Sequence, residues 1–188
     1  MTPACSAPIS DEILLEYWTG DLADGDGMNE VEEHLFACGS CSARLEQFAA
    51  LGLGLAALAR QGRISGIVSR ALVNRLQRDG LHVRAFSLAP GEVVPCAVFP
   101  GDDLIVTSLR ADLSGVEAVT LSITGPGSAP FSRYENVPVS APFGELLWAT
   151  PAALVQQMPS VRLELTLTSA GAAPTELARY VLEHSANT

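Results

Sequence analysis

The spacing of apolar residues changes once along this chain, close to Gly80. Before it, apolar side chains recur every three or four residues; after it, they alternate. Ser10-Asp11-Glu12 carries the signature of a helix start, a capping hydroxyl followed by acids in the first turn. Ile13, Leu14, Tyr17 and Trp18 form an apolar face that should end at Gly20. A loop at Asp24-Gly25-Asp26-Gly27 leads into a second helix over 28–37, with Met28, Val31 and Leu35 inward and Glu30, Glu32 and Glu33 outward. A third helix begins near Ser42, with Leu45, Phe48, Leu51, Leu55 and Leu58 as its apolar positions, and breaks at Gln61-Gly62. Ile64, Ile67, Val68, Ala71, Leu72 and Leu76 then form a stripe that predicts a fourth helix over 64–78.

Beyond Gly80, Val161, Leu163, Leu165 and Leu167 alternate with polar residues, and Val119, Leu121 and Ile123 do the same. Further strands are expected over 81–88, 93–98, 104–109, 145–148 and 177–182, with a short helical insert over 151–158. Short strands separated by Pro- and Gly-rich turns predict an antiparallel β-sandwich or barrel. The expected class is therefore α+β in two domains: a small helical domain over 1–78, whose last helix either binds a partner or connects, and a β-rich domain over 81–188.

Charge sharpens that division. The net charge is −10, and every basic residue is Arg. Residues 1–61 hold ten acids against Arg44 and Arg60, a balance of −8; residues 62–188 hold eleven acids against nine Arg, a balance of −2. Such a surface argues against direct binding of nucleic acid or of an anionic membrane, and the acidic half suits a basic protein partner. The most apolar run, 48–59, is too short to span a bilayer. No basic region followed by an apolar stretch opens the chain, so the cytoplasm is the expected compartment. There, four Cys read as thiols or metal ligands rather than structural disulfides.

The segment His34-Leu-Phe-Ala-Cys38-Gly-Ser-Cys41 carries the chemistry. At about 100° per residue on a helix, position 38 lies roughly 40° and position 41 roughly −20° from His34, so the three side chains can converge. An imidazole and two thiolates suit tetrahedral Zn²⁺. Cys5 is the one other Cys or His in the first 61 residues and can complete the set from a Pro-punctuated segment; Asp11, Glu12 or a water are the alternatives. A redox CxxC of the thioredoxin kind follows a strand, whereas this one lies between two expected helices.

The layout of residues 10–60, about a quarter of the chain, resembles the zinc-binding anti-sigma family. The likeness rests on Ser10-Asp11-Glu12-Ile13-Leu14-Leu15-Glu16-Tyr17 with Gly20-Asp21-Leu22, on Val31-Glu32-Glu33-His34-Leu35, and on the HxxxCxxC that follows. It implies a helical domain that grips an alternative sigma factor of the extracytoplasmic-function type, buries its helices between the two domains that contact DNA and polymerase, and blocks polymerase binding. His34, Cys38 and Cys41 match three family ligands. The fourth is a His or Cys just before or within the first helix, where this chain has Pro8 and, further out, Cys5.

The β-rich half would then hold a sensor. The metal-binding cupin found in some relatives needs clustered His and Glu, which His82, His184 and Cys96 do not supply. Cys96 is expected to point into the core, and His82 and His184 to be solvated. Trp148, Phe143 and Phe131 are expected in the core or around a pocket. No Ser-His-Asp set, phosphate loop or pair of acids stands out, so the expectation is a regulator rather than an enzyme. Two rival readings are a thiol–disulfide oxidoreductase using Cys38 and Cys41, and a zinc-stabilised adaptor unrelated to transcription.

Overall fold

The structure, a computed structural model, describes residues 5–23, 25–139, 144–171 and 173–186. Residues 1–4, Asp24 in the first loop and Phe143 lie outside the described residues. The chain forms two compact units. One comprises Met1–Leu58 with Ser69–Gly80, the other Ala59–Val68 with Leu81–Thr188.

The first unit is helical. α1 (Asp11–Thr19) opens at Ser10, whose hydroxyl accepts a hydrogen bond from the Ile13 amide at 3.3 Å. It closes at Gly20, where φ is +76° and the amide reaches back to the Glu16 and Tyr17 carbonyls. α2 (Asp26–Ala37) starts two residues before the expected position and ends at Cys38. α3 (Gly39–Arg60) follows at once. Leu14, Trp18, Val31, Cys41, Ala56, Val73 and Leu76 make up the thin interior.

Two sequence expectations change here. Leu51 is 62% exposed, and the inward position next to it belongs to Gly52. A Cβ on Gly52 would stand 2.4 Å from Cζ2 of Trp18, so the glycine is what lets the indole lie against α3. The helix over 64–78 is also shorter than its stripe. Gly66–Val68 forms a strand, β1, and α4 is Arg70–Arg78. Gly66 weakens the helix, the β-branched Ile67 and Val68 favour extension, and Ser69 supplies the new helix start by accepting from the Leu72 amide at 3.1 Å. α4 packs on α1. Arg75 donates to the Trp18 carbonyl at 3.0 Å with its guanidinium over the indole, and Arg78 donates to the Thr19 carbonyl. Both arginines thus answer the open carbonyls at the C-terminus of α1.

The second unit is two sheets in a sandwich-like arrangement, and among the described residues the strands close no barrel. Its remaining strands are β2 (Val83–Leu88), β3 (Val93–Cys96), β4 (Leu104–Arg110), β5 (Ala118–Thr124), β6 (Pro130–Pro138), β7 (Glu145–Pro151), β8 (Val161–Ser169) and β9 (Glu176–His184). One sheet runs β1-β7-β4-β2 and the other β3-β9-β8-β5-β6. The expected helical insert is α5 (Ala152–Gln156). The expectation of a purely antiparallel sandwich is corrected at two places: β2 pairs parallel with β4, and β3 parallel with β9. β6 escaped the sequence reading because it is an exposed edge whose alternation breaks at Asn136, a residue with φ of +52° beside a register shift. The core is continuous across both sheets, with Leu109, Leu121, Ile123, Leu165, Leu167 and Tyr180 wholly buried. Tyr180 satisfies its hydroxyl by donating to the Arg110 carbonyl at 2.7 Å, and burial pushes its pKa up to about 12.

Candidate metal centre

The HxxxCxxC segment straddles the corner between α2 and α3. His34 lies in the last turn of α2. Cys38 leaves helical geometry, with φ of −118° and ψ of 98°, while its amide still donates to the His34 carbonyl at 2.8 Å. Cys41 stands in the first turn of α3 and is completely buried. Ser42 locks the corner: its hydroxyl donates to the Leu35 carbonyl at 2.6 Å and to the Cys38 carbonyl at 3.1 Å. Its role was not legible beforehand, since a serine beside a CxxC reads only as a helix start.

Cys5 is brought in from far along the chain. Arg44 on α3 donates to the Ile9 carbonyl at 2.7 Å and pairs with the Asp11 carboxylate. These bonds pin the segment before α1 against α3, and Cys5 Sγ comes to 3.5 Å from His34 Nε2. One donor atom from each of Cys5, His34, Cys38 and Cys41 lies within 4.8 Å of all the others. Among the described residues this is the one such group of His, Cys or carboxylates. Of the alternatives for the fourth position, Asp11 is engaged by Arg44, and neither Asp11 nor Glu12 joins the cluster.

The donor set passes a geometric test for a metal. With metal–sulfur bonds of about 2.3 Å and metal–nitrogen bonds of about 2.0 Å, a tetrahedral site needs sulfurs roughly 3.8 Å apart and nitrogen roughly 3.5 Å from sulfur. Cys5 Sγ and His34 Nε2 stand at that nitrogen–sulfur spacing, 3.5 Å, and no two donors are more than 4.8 Å apart, so the four side chains are positioned to bind a metal ion.

Electrostatics point the same way. The Cys38 thiol is lowered to about 6, first by the Ser40 hydroxyl at 3.2 Å from its sulfur, then by the Cys41 amide and the Cys5 thiol. For Cys5, the Ala7 amide favours the thiolate, but desolvation and the neighbouring Cys38 and Cys41 outweigh it and raise the pKa. Three sulfurs this close cannot all carry charge without a cation among them. Elsewhere in the helical unit, Tyr17 on α1 donates to Glu32 on α2 at 3.4 Å, and burial first, then the carboxylate, raises that phenol.

The remaining expected residues are spread over the β unit. Cys96 is buried as expected, and burial raises its thiol to about 11. The His82 side chain is 80% exposed, also as expected. His184 is corrected: it is 6% exposed, because β9 continues two residues past the expected end and its inward alternation of Ala178, Tyr180 and Leu182 extends to position 184. Trp148 is buried and donates through Nε1 to the Tyr134 hydroxyl at 3.2 Å, while Phe131 is 40% exposed.

Compared with known proteins, the chain matches no family model and no curated protein. Among the described residues, no helix is long and apolar enough to cross a membrane.

Proposed function

We propose that this chain is a zinc-dependent anti-sigma factor acting in the cytoplasm. Cys5, His34, Cys38 and Cys41 hold Zn²⁺, and the helical unit around them sequesters a sigma factor of the extracytoplasmic-function type. The observation that carries the reading is the meeting of four soft donors at the corner of an acidic helical unit. Bound there, zinc supplies charge neutralisation for the thiolates and a crosslink for the fold. Four protein ligands leave no open coordination position, which fits a structural ion rather than a catalytic one.

The partner assignment draws on two further features. Sigma factors bind promoter DNA and are basic, so a surface of −8 over residues 1–61 attracts the face that DNA would use. The helical unit also exposes apolar side chains without cover in this chain: Phe36 is 92% exposed, Leu53 67% and Leu51 62%. Release follows either from a signal received by the β unit or from oxidation of the cluster. In the second route, peroxide takes two electrons from a pair of thiolates, the sulfurs join as a disulfide, and the peroxide is reduced to water. The metal then loses two ligands.

Metal analysis of the purified chain should find one zinc per molecule. Co-expression with a sigma factor of the extracytoplasmic-function type, taken from the neighbouring gene where one is encoded there, should give a one-to-one complex that represses transcription in vitro. Zinc without any such complex would favour a metal-stabilised adaptor for another protein. Absence of metal together with turnover of a dithiol substrate would favour a thiol–disulfide oxidoreductase.

A further inference from the structure

The β unit contains a small apolar cavity with one anomalous side chain in its wall. His184 lies at the end of β9, directly opposite Cys96 on β3 and Val161 on β8. It is more than nine-tenths buried, and neither Nδ1 nor Nε2 has a hydrogen-bond partner among the described residues. A neutral imidazole carries one donor and one acceptor, and each costs free energy when buried unpaired. Other polar groups around this cavity avoid that cost. Trp148 Nε1, in the same wall, donates to Tyr134, and the Thr150 hydroxyl lies 3.4 Å from that of Ser65.

The cavity is lined mainly by aromatic, aliphatic and sulfur-bearing side chains, with Phe131 and Met158 among them; Thr107 and Thr150 are the polar residues besides His184, and among the described residues no Asp, Glu or Arg contributes to it. Its free space, taken where the centre of a water-sized sphere can move, is about 30 Å³. That is about two to three times what one water needs on the same measure. A stable water needs several polar partners, and this wall offers few. Phe131, 40% exposed, is the lining side chain with most freedom to yield to an entering molecule.

We propose that this cavity is a ligand site for a small uncharged molecule with an apolar body, up to a single ring in size, and one hydroxyl that hydrogen-bonds to His184. The absence of charged side chains from the lining excludes a charged ligand, the apolar wall selects the body, and the orphaned imidazole selects the hydroxyl. Neither the metal centre nor the sigma-factor reading enters this argument; either can fail without touching it.

Phenol and benzene form the test pair, titrated into the full-length chain and followed by the nitrogen resonances of the His184 ring and by thermal shift. Phenol should bind saturably, move the His184 resonances and bind about tenfold more tightly than benzene. In His184→Phe the order should reverse, because the hydroxyl must then be desolvated without a partner. The comparison within the unaltered chain stands even if that variant does not fold. Equal binding of the two compounds, saturable binding that leaves the His184 ring unmoved, or no saturable binding would overturn the proposal.

Discussion

The two units of this protein reach stability by different routes. The β unit has a continuous interior drawn from both sheets, including six large side chains that are wholly buried. Burying each Leu- or Ile-sized side chain contributes about 1.5–3 kcal/mol, which is sufficient for an ordinary sandwich. The helical unit has a handful of buried apolar residues, one of which is Cys41, a member of the donor cluster. Its helices are joined by point contacts: Arg44 to the segment before α1, Ser42 across the α2–α3 corner, and Arg75 and Arg78 to the end of α1. On the proposed reading, a bound metal supplies the free energy that so thin a core lacks. The difference teaches where each unit is vulnerable: the helical unit at a few point contacts and the donor cluster, the β unit in its apolar interior.

The contrast breaks most sharply at the metal. Cys38→Ser, or a strong chelator, should abolish stoichiometric zinc and unfold much of the helical unit; apparent binding free energies at structural zinc sites run to about 10–16 kcal/mol. Trp18 and Trp148 report on the two units separately. Trp18 fluorescence, read in Trp148→Phe, should collapse on chelation, while Trp148 emission, read in Trp18→Phe, should stay. Unchanged helicity and zinc content in Cys38→Ser would remove the ligand assignment.

The converse experiment is Leu165→Ala. Truncating a wholly buried residue on β8 should cost about 2–5 kcal/mol and lower the melting temperature of the β unit, with zinc content unaltered. Loss of zinc in that variant would mean that the two units do not fold independently.

Gly52→Val probes the thin core itself. The added side chain meets the Trp18 ring, so about 1–3 kcal/mol of destabilisation should fall on the helical unit alone, read by Trp18 emission during denaturation. A smaller effect is expected from Arg78→Ala, which removes one carbonyl contact between α4 and α1 at an exposed position; it should cost under about 1 kcal/mol in the same measurement.

The smallest expected effect is a pH dependence of the β unit. Asp102 is held below its ordinary carboxylate range: burial opposes ionisation, but the Arg84 guanidinium at 2.6 Å and the Phe99 amide at 2.9 Å outweigh it. Because the folded pKa is depressed, the stabilisation is present in full above the ordinary Asp value near 3.8 and disappears as pH falls through the lower folded value. Arg84→Met should flatten the acid limb of the stability profile below that point and leave the profile near neutrality parallel to that of the unaltered chain.

Much of this was legible in the residues alone because it depends on neighbours in sequence. Ser10 and Gly20 bound α1 through hydrogen bonds that reach only three or four residues. The spacing of His34, Cys38 and Cys41 brings three donors together through the pitch of one helical corner, and the alternation along β8 marks its inward face. The errors arose where a pattern serves two structures equally well. Ile64 to Leu76 reads as one stripe, yet Gly66–Val68 pairs with β7 and only α4 remains helical.

Tertiary structure decided what sequence separation hides. Which group completes the donor set depends on Arg44 holding a segment some 35 positions away. The parallel pairings of β2 with β4 and β3 with β9, and the burial of His184 opposite Cys96, arise from strands distant along the chain. Local rules govern backbone bonds closed within a turn or two, whereas packing chooses among remote partners by how much apolar surface they bury together, and that sum exists only once the chain has folded.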